Sequence, residues 1–194
     1  MEKATTTDKY EILQEDFIEV YGEKLYRIRT LKSFAGLDKG ELGGYIKMHK
    51  NLDQSGDAWV YGDAWVSGDA RVSGDARVYG DAQVYGNAQV SGDAQVYGDA
   101  QVYVDAQVYG DAQVSGNAQV YGQMDIITVL DIGSERGCLT IHRDSDIGVR
   151  VTRGCFTGSI GEFIEAVEST HGDNIHGKIY KSLIETAKIQ FGIE

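Results

Sequence analysis

The chain has 194 residues, with 30 acidic and 18 basic side chains and a formal net charge of −12. That length suits one or two domains, and the charge argues against direct nucleic-acid binding through a basic face. No apolar run approaches the roughly 18 residues of a membrane span, and the opening stretch to Phe17 has no apolar h-region, so neither a membrane segment nor a signal peptide is expected. Two cysteines, Cys138 and Cys155, fit a reducing cytoplasm better than a disulfide.

Residues 10–34 read as strands. FIEVYGEKLYRIRTL alternates around Gly22, which predicts a hairpin pairing Phe17–Tyr21 with Lys24–Leu31. Residues 1–41 are therefore assigned to an N-terminal β-hairpin cap.

A hexad, V-[YS]-G-[DN]-A-x, follows. Its first position reads Leu42, Met48, Gln54, then Val at every sixth residue from Val60 to Val120, then Ile126. The fifth reads Ile46, Leu52, then Ala from Ala58 to Ala118, then Met124 and Leu130. Only Gln54 breaks the apolar pattern, so the frame covers residues 42–131. A period of six with two inward residues fits neither a helix nor a long strand. It fits a short strand and a turn, repeated, with Gly and Asp/Asn supplying the turn. Three strands per triangular coil give about five coils, stacked over roughly 24 Å at ~4.8 Å per coil.

The aliphatic residue followed four positions later by a small one, as in Val84/Ala88, Val90/Ala94 and Val96/Ala100, resembles the hexapeptide-repeat superfamily. That resemblance implies a mainly β chain built on a left-handed parallel β-helix of about five triangular coils, assembled as a homotrimer. Ile46, Leu52, Met124 and Leu130 then read as caps of the end coils. Members of the superfamily include acyltransferases with a His base and γ-class carbonic anhydrases with several His ligands. Residues 55–122 hold no His, Cys, Lys or Thr, and His49 alone lies in the frame, in an end coil. No catalytic residue, metal or cofactor is therefore expected in the coils.

Residues 18 apart should stack. Tyr61, Tyr79 and Tyr97 make one column; Tyr85, Tyr103 and Tyr121 a second; Ser73, Ser91 and Tyr109 a third. Gln83, Gln101 and Gln119 make an amide ladder, as do Gln95 with Gln113 and Gln89 with Gln107. Such ladders stabilise in-register parallel strands. A flat wall rich in aromatics and free of Lys and Glu also suits an oligomer interface, with Tyr79, Tyr97, Tyr85, Tyr103, Gln83 and Gln101 as its candidates. Stacked Asp57, Asp75, Asp93 and Asp111 would each repel a neighbour by roughly 0.9 kcal/mol in water. Carboxylates that cap turn amides would offset this. A cation ladder and mimicry of a nucleic-acid backbone are the alternatives.

Residues 132–194 change in composition and are read as a small α+β module. CLTIHRDSDIGVRVTRGCFTGS suggests two or three strands. Ser159 with Glu162 is a capping box, opening a helix with Ile160, Phe163, Ile164 and Val167 on its buried face. Gly172 sits at a C-cap position, Asp173 or Asn174 starts the next helix, and Ile179, Leu183, Ile184, Ala187 and Phe191 mark its apolar face. Arg143, Arg150 and Arg153 form the basic cluster of an otherwise acidic chain. Guanidinium forks suit carboxylate or phosphate recognition. With His171 and His176 as further donors, these five are the candidate site for a small anionic, nucleotide-like ligand. His171, Asp173 and His176 are metal ligands by type, but the plainer reading is a polar helix–helix turn. Cys155 reads as a buried thiol.

GELGGYIKMHKNLDQSGDAWVYG and the tail run CFTG…EFIEAVESTHGDNIHGKIY are similar to phage and prophage hexapeptide-repeat proteins. That resemblance implies a non-enzymatic phage accessory protein. It would be a trimeric scaffold in the host bacterial cytoplasm, binding a host protein or the anionic ligand as an inhibitor of anti-phage defence. The alternatives are a structural or polymer-forming virion or cytoskeletal-like component, and a degenerate hexapeptide acyltransferase or C-terminal-module enzyme.

Overall fold

The computed structural model describes residues 8–193. The first seven residues, part of the stretch read above for a leader and for the N-terminal cap, lie outside the described residues.

Strands β1 (Tyr10–Val20) and β2 (Glu23–Thr30) form the expected hairpin. Tyr21 and Gly22 both take positive φ at its tip, the geometry of a tight two-residue turn. β1 begins at Tyr10 rather than Phe17, because a register shift between Leu13 and Phe17 carries the strand past its broken alternation. Strand β3 (Leu42–Ile46) pairs antiparallel with β2 on one side and parallel with the first coils on the other. A Cβ on Gly43 would stand 2.6 Å from both Ile28 and Trp59, so only glycine lets the chain pass there.

Eleven two-residue strands follow, one per hexad. They are β4 (Trp59–Val60), β5 (Trp65–Val66), β6 (Arg71–Val72), β7 (Arg77–Val78), β8 (Gln83–Val84) and β9 (Gln89–Val90). After them come β10 (Gln95–Val96), β11 (Gln101–Val102), β12 (Gln107–Val108), β13 (Gln113–Val114) and β14 (Gln119–Val120). Parallel pairing of residues 18 apart, such as Gln83 with Gln101 and Gln101 with Gln119, makes three faces. One is seven-stranded and includes the hairpin, β1-β2-β3-β5-β8-β11-β14; the others are β4-β7-β10-β13 and β6-β9-β12. A Leu52–Val72 bridge extends the third face. The result is a solenoid of about four turns. Every sixth residue from Val60 to Val120 and from Ala58 to Ala118 points inward, none more than 1% exposed. Tyr10, Ile28 and Ile46 join the same core, so the hairpin shares the solenoid's interior.

The solenoid is shorter than the expected five coils. Beyond Gly122 a 3₁₀ turn (Gln123–Asp125) lifts the chain away, and β15 (Ile126–Ile132) pairs antiparallel with β16 (Gly137–Asp144) instead of adding a rung. Ile126 keeps its inward place and Leu130, though 44% exposed, lies over Gly110 at the end of its corner column, but Met124 (66% exposed) faces out and does not cap the shaft. Leu42 is also exposed.

The hydrogen bonds linking coils beside the strands run one way. The N–H of one coil donates to a carbonyl 17 residues later, as from Asp69 to Gly86, Arg71 to Ala88 and Ser73 to Val90. Within this set, the carbonyls of the first coil and the N–H groups of the last coil have no neighbouring coil to bind. Donors meet the first set: Lys9 Nζ to the Ala58 carbonyl (2.8 Å), Tyr10 hydroxyl to that of Leu52 (2.7 Å) and Asn51 Nδ2 to that of Ala70 (2.8 Å). Acceptors meet the second. Thr140 Oγ1 accepts from Gln113 N–H (3.1 Å), His142 Nε2 from Ser115 N–H (3.4 Å) and Asp125 from Tyr121 N–H (3.1 Å).

The C-terminal module is an antiparallel sheet, β15-β16-β17-β18, with β17 (Gly148–Arg153) and β18 (Phe156–Ser159). Helices α1 (Ile160–His171) and α2 (Ile175–Phe191) cover one side. Ser159 and Glu162 make the capping box, Gly172 the C-cap, and Asn174 caps α2 by accepting from His176 and Gly177 N–H. Leu139, Ile141, Val151, Phe163, Val167, Tyr180 and Ile184 form a second core. Tyr180 takes the inward place expected of Ile179, which is 40% exposed. No helix among the described residues is long and apolar enough to cross a membrane.

Candidate functional site

The outer wall of the seven-stranded face carries an unbroken run of rings. Trp65 and Tyr85 lie 5.5 Å apart, Tyr85 and Tyr103 stack at 4.6 Å and 11°, and Tyr103 and Tyr121 lie at 4.2 Å. At the hairpin end Tyr45 continues it, under the Arg27 guanidinium at 4.2 Å. Leu25, Tyr45 and Trp65 are buried there against Ile18, Val20 and Tyr85. Gln83, Gln101 and Gln119 flank the rings as paired rungs. On the second face Tyr79 and Tyr97 stack at 5.0 Å and 2°, and the Tyr79 hydroxyl donates to Gln95 Oε1 (3.1 Å). Tyr61, foreseen in that column, packs partly buried against the solenoid core. Burial raises the phenol pKa of Tyr79 and of Tyr85, keeping both neutral donors. Trp65, Tyr45 and Arg27 were not foreseen as members of the wall. Trp65 lies 20 residues before Tyr85, off the 18-residue spacing, and the hairpin's contribution depends on tertiary pairing.

The Asp columns stack as expected, but backbone does most of the corner work. Asp75 Oδ1 accepts from Asp57 N–H (3.1 Å), and Asp105 Oδ1 from Asn87 Nδ2 (3.0 Å). The N–H groups of Asp69, Asp75 and Asp81 go instead to glycine carbonyls of the next coil.

The five residues expected to bind an anion are not brought together. Val149, Val151 and Arg153 alternate with Arg150 and Thr152 along β17, so Arg150 and Arg153 point to opposite sides of the sheet. Arg150 lies on the solenoid side, where Nε reaches the buried Asp144 carboxylate at 2.7 Å and the guanidinium covers Gly116. Arg153 lies on the helix side, donating to the Tyr180 hydroxyl (3.0 Å) and the Ile132 carbonyl (2.9 Å). Arg143 is bound to Asp125 (2.7 Å) and to the Phe191 carbonyl (3.1 Å). Each fork is spent on holding the module together. His171 and His176 are neighbours, with ring centroids 5.8 Å apart, but they sit at the α1–α2 turn, where His171 also packs on Tyr180. Asp173 turns to Lys181, at 3.4 Å. No group of three or more metal-ligating side chains occurs among the described residues.

Cys155 is exposed at the β17–β18 turn rather than buried, because Gly154 takes a positive φ and turns the chain out. Cys138 is half-buried, and burial pushes its thiol pKa up. Both are free thiols. His49, the imidazole of the repeat frame, packs its ring on Tyr10 at 5.7 Å under the N-terminal cap.

A crevice of about 190 Å³ opens where the third face ends, lined by Gln107, Tyr109, Gln123, Ile126 and Thr128. It lies above β12, where the 3₁₀ turn replaced the next rung.

Four segments of the chain, residues 70–86, 82–98, 88–104 and 106–122, match the family model described as YdcK Beta solenoid repeat. No curated protein matches the chain. The matched segments lie within the stacked parallel coils described above, and both observations make this a β-solenoid repeat protein.

Proposed function

We propose that this β-solenoid repeat protein is a non-enzymatic scaffold whose ring-lined face docks onto protein surfaces. Its first partner is a second and third copy of itself, in a trimer with the left-handed coil of the hexapeptide-repeat superfamily. The observation that carries the reading is the continuous ring run Trp65–Tyr85–Tyr103–Tyr121, flanked by the Gln83, Gln101 and Gln119 amides. Rings already locked against one another lose little conformational entropy on docking, and amide rungs supply donors and acceptors without a charge to desolvate. The acidic corners border this neutral strip and disfavour stray contacts. A rigid shaft of this kind, encoded by a phage, would act in the host bacterial cytoplasm by contact with a defence protein. The anionic-ligand role is not carried into this proposal, since Arg143, Arg150 and Arg153 are each held by intramolecular partners.

The test is multi-angle light scattering on the wild-type protein and on Tyr103→Arg. A wild-type trimer that the substitution dissociates, with circular dichroism unchanged, supports the reading. A wild-type monomer rejects it. A crystal structure reads the hand of the coil directly.

A further inference from the structure

We propose that His142 is an acid-sensitive latch that fastens the C-terminal module to the open N–H edge of the last coil. The N–H groups of Gln113, in β13, and of Ser115, just past it, have no coil above them, and β16 answers with side-chain acceptors. Thr140 Oγ1 takes Gln113 N–H, and His142 Nε2 takes Ser115 N–H. The other imidazole nitrogen, Nδ1, lies 3.0 Å from the Arg143 carbonyl, which can only accept. The pair of contacts fixes the tautomer: Nδ1 carries the proton and Nε2 is the acceptor. A second proton has one place to go, on Nε2, and would set N–H against N–H at Ser115. His142 is fully buried, so the cation would also be formed out of water.

The charged groups around the ring are Asp144, from its own strand, and Arg150, from β17, which oppose each other in their effect on it. Asp144 is itself committed to Arg150 Nε and to the N–H groups of Asp146 and Ile147. Across the junction the solenoid contributes uncharged groups, Ser115 and Gln113. Burial dominates and lowers the His142 pKa from 6.5 to about 4. A histidine depressed in the folded state holds fewer protons than in the unfolded chain. Its contribution to stability is complete above pH ~6.5 and is lost as pH falls through the folded value.

The experiment pairs amide hydrogen exchange with imidazole NMR on the full chain. Between pH 6.5 and 4, protection at Ser115 should fall by up to about tenfold per pH unit, the limit for one linked proton. Amides deep in the coils, such as Gln83, should change far less. His142→Gln keeps an acceptor and cannot titrate, so the pH dependence at Ser115 should flatten. Should that variant fail to fold, the wild-type imidazole decides alone. A neutral Nδ1–H tautomer titrating near pH 4 supports the latch. A His142 ring that titrates near 6.5, or Ser115 protection that does not vary with pH, overturns it.

Discussion

Two corner glycines offer a direct measurement of how tightly the coils are stacked. Gly92 and Gly62 both take the left-handed conformation, at φ of +72° and +60°. An alanine at either site therefore pays for a positive φ, a cost of about 1 kcal/mol after allowance for the stiffer unfolded chain. The sites differ in what the new methyl meets. At Gly92 a Cβ would lie 2.9 Å from Gly110 N and 3.1 Å from its Cα and O, all backbone of the next coil. At Gly62 the nearest atom is the Gly80 carbonyl oxygen, 3.9 Å away. Backbone cannot rotate aside, so Gly92→Ala must push two coils apart, adding about 1–3 kcal/mol of overpacking. Guanidinium denaturation followed by circular dichroism should show a loss of about 2–4 kcal/mol for Gly92→Ala and about 1 kcal/mol for Gly62→Ala. Equal losses would refute the stacking argument. The same reasoning accounts for Val104, which departs from the corner glycines at φ +59. It ends its column, since residue 122 turns out of the coil, and its side chain is 49% exposed.

Ala88→Leu should cost on the order of 1–3 kcal/mol, because the site is fully buried among stacked Val and Ala; an unchanged denaturation midpoint would contradict the interior described here. Burial lowers the Lys9 pKa from 10.5 to about 8, so the folded chain holds fewer protons than the unfolded one in that window. Stability should rise between pH 8 and 10, by roughly 2 kcal/mol at most. Lys9→Met should abolish the rise and, by orphaning the Ala58 carbonyl, cost ~1–3 kcal/mol at pH 7; thermal melts across that range check both. Arg150→Ala strands the buried Asp144 carboxylate and should lose about 3 kcal/mol. A variant with an unchanged melting temperature would show that the pair is not structural.

The interior of the shaft was legible in sequence because one rule repeats without interruption, and Val84, Ala88 and their equivalents answer to the same geometry in every coil. Its end was not. Ile126 and Leu130 satisfy the hexad spacing, but they also satisfy a plain antiparallel strand, and only the pairing of Ile126 with His142 and of Val129 with Leu139 decides between them. The capping box at Ser159 was readable since both partners lie within one helical turn. The arginines misled because proximity along β17 says nothing about side: an offset of three residues places Arg150 and Arg153 on opposite faces. His142 drew no attention as a lone histidine in CLTIHRD, and its role appears only when Ser115, 27 residues away, is set beside it.

The one-way ladder makes the molecule a directional polymer segment with a chemically distinct stop at each end. Its length can change only by whole rungs, and the arithmetic is strict. Gain or loss of three hexads would lengthen or shorten the shaft by ~4.8 Å and return every face to its place, with Thr140 and His142 still above the strands they terminate. Gain or loss of a single hexad would swing the C-terminal module by about a third of a turn relative to the hairpin. Duplication and deletion within this repeat thus work as a vernier, adjusting the reach of the shaft in one step size and the bearing of its two ends in another.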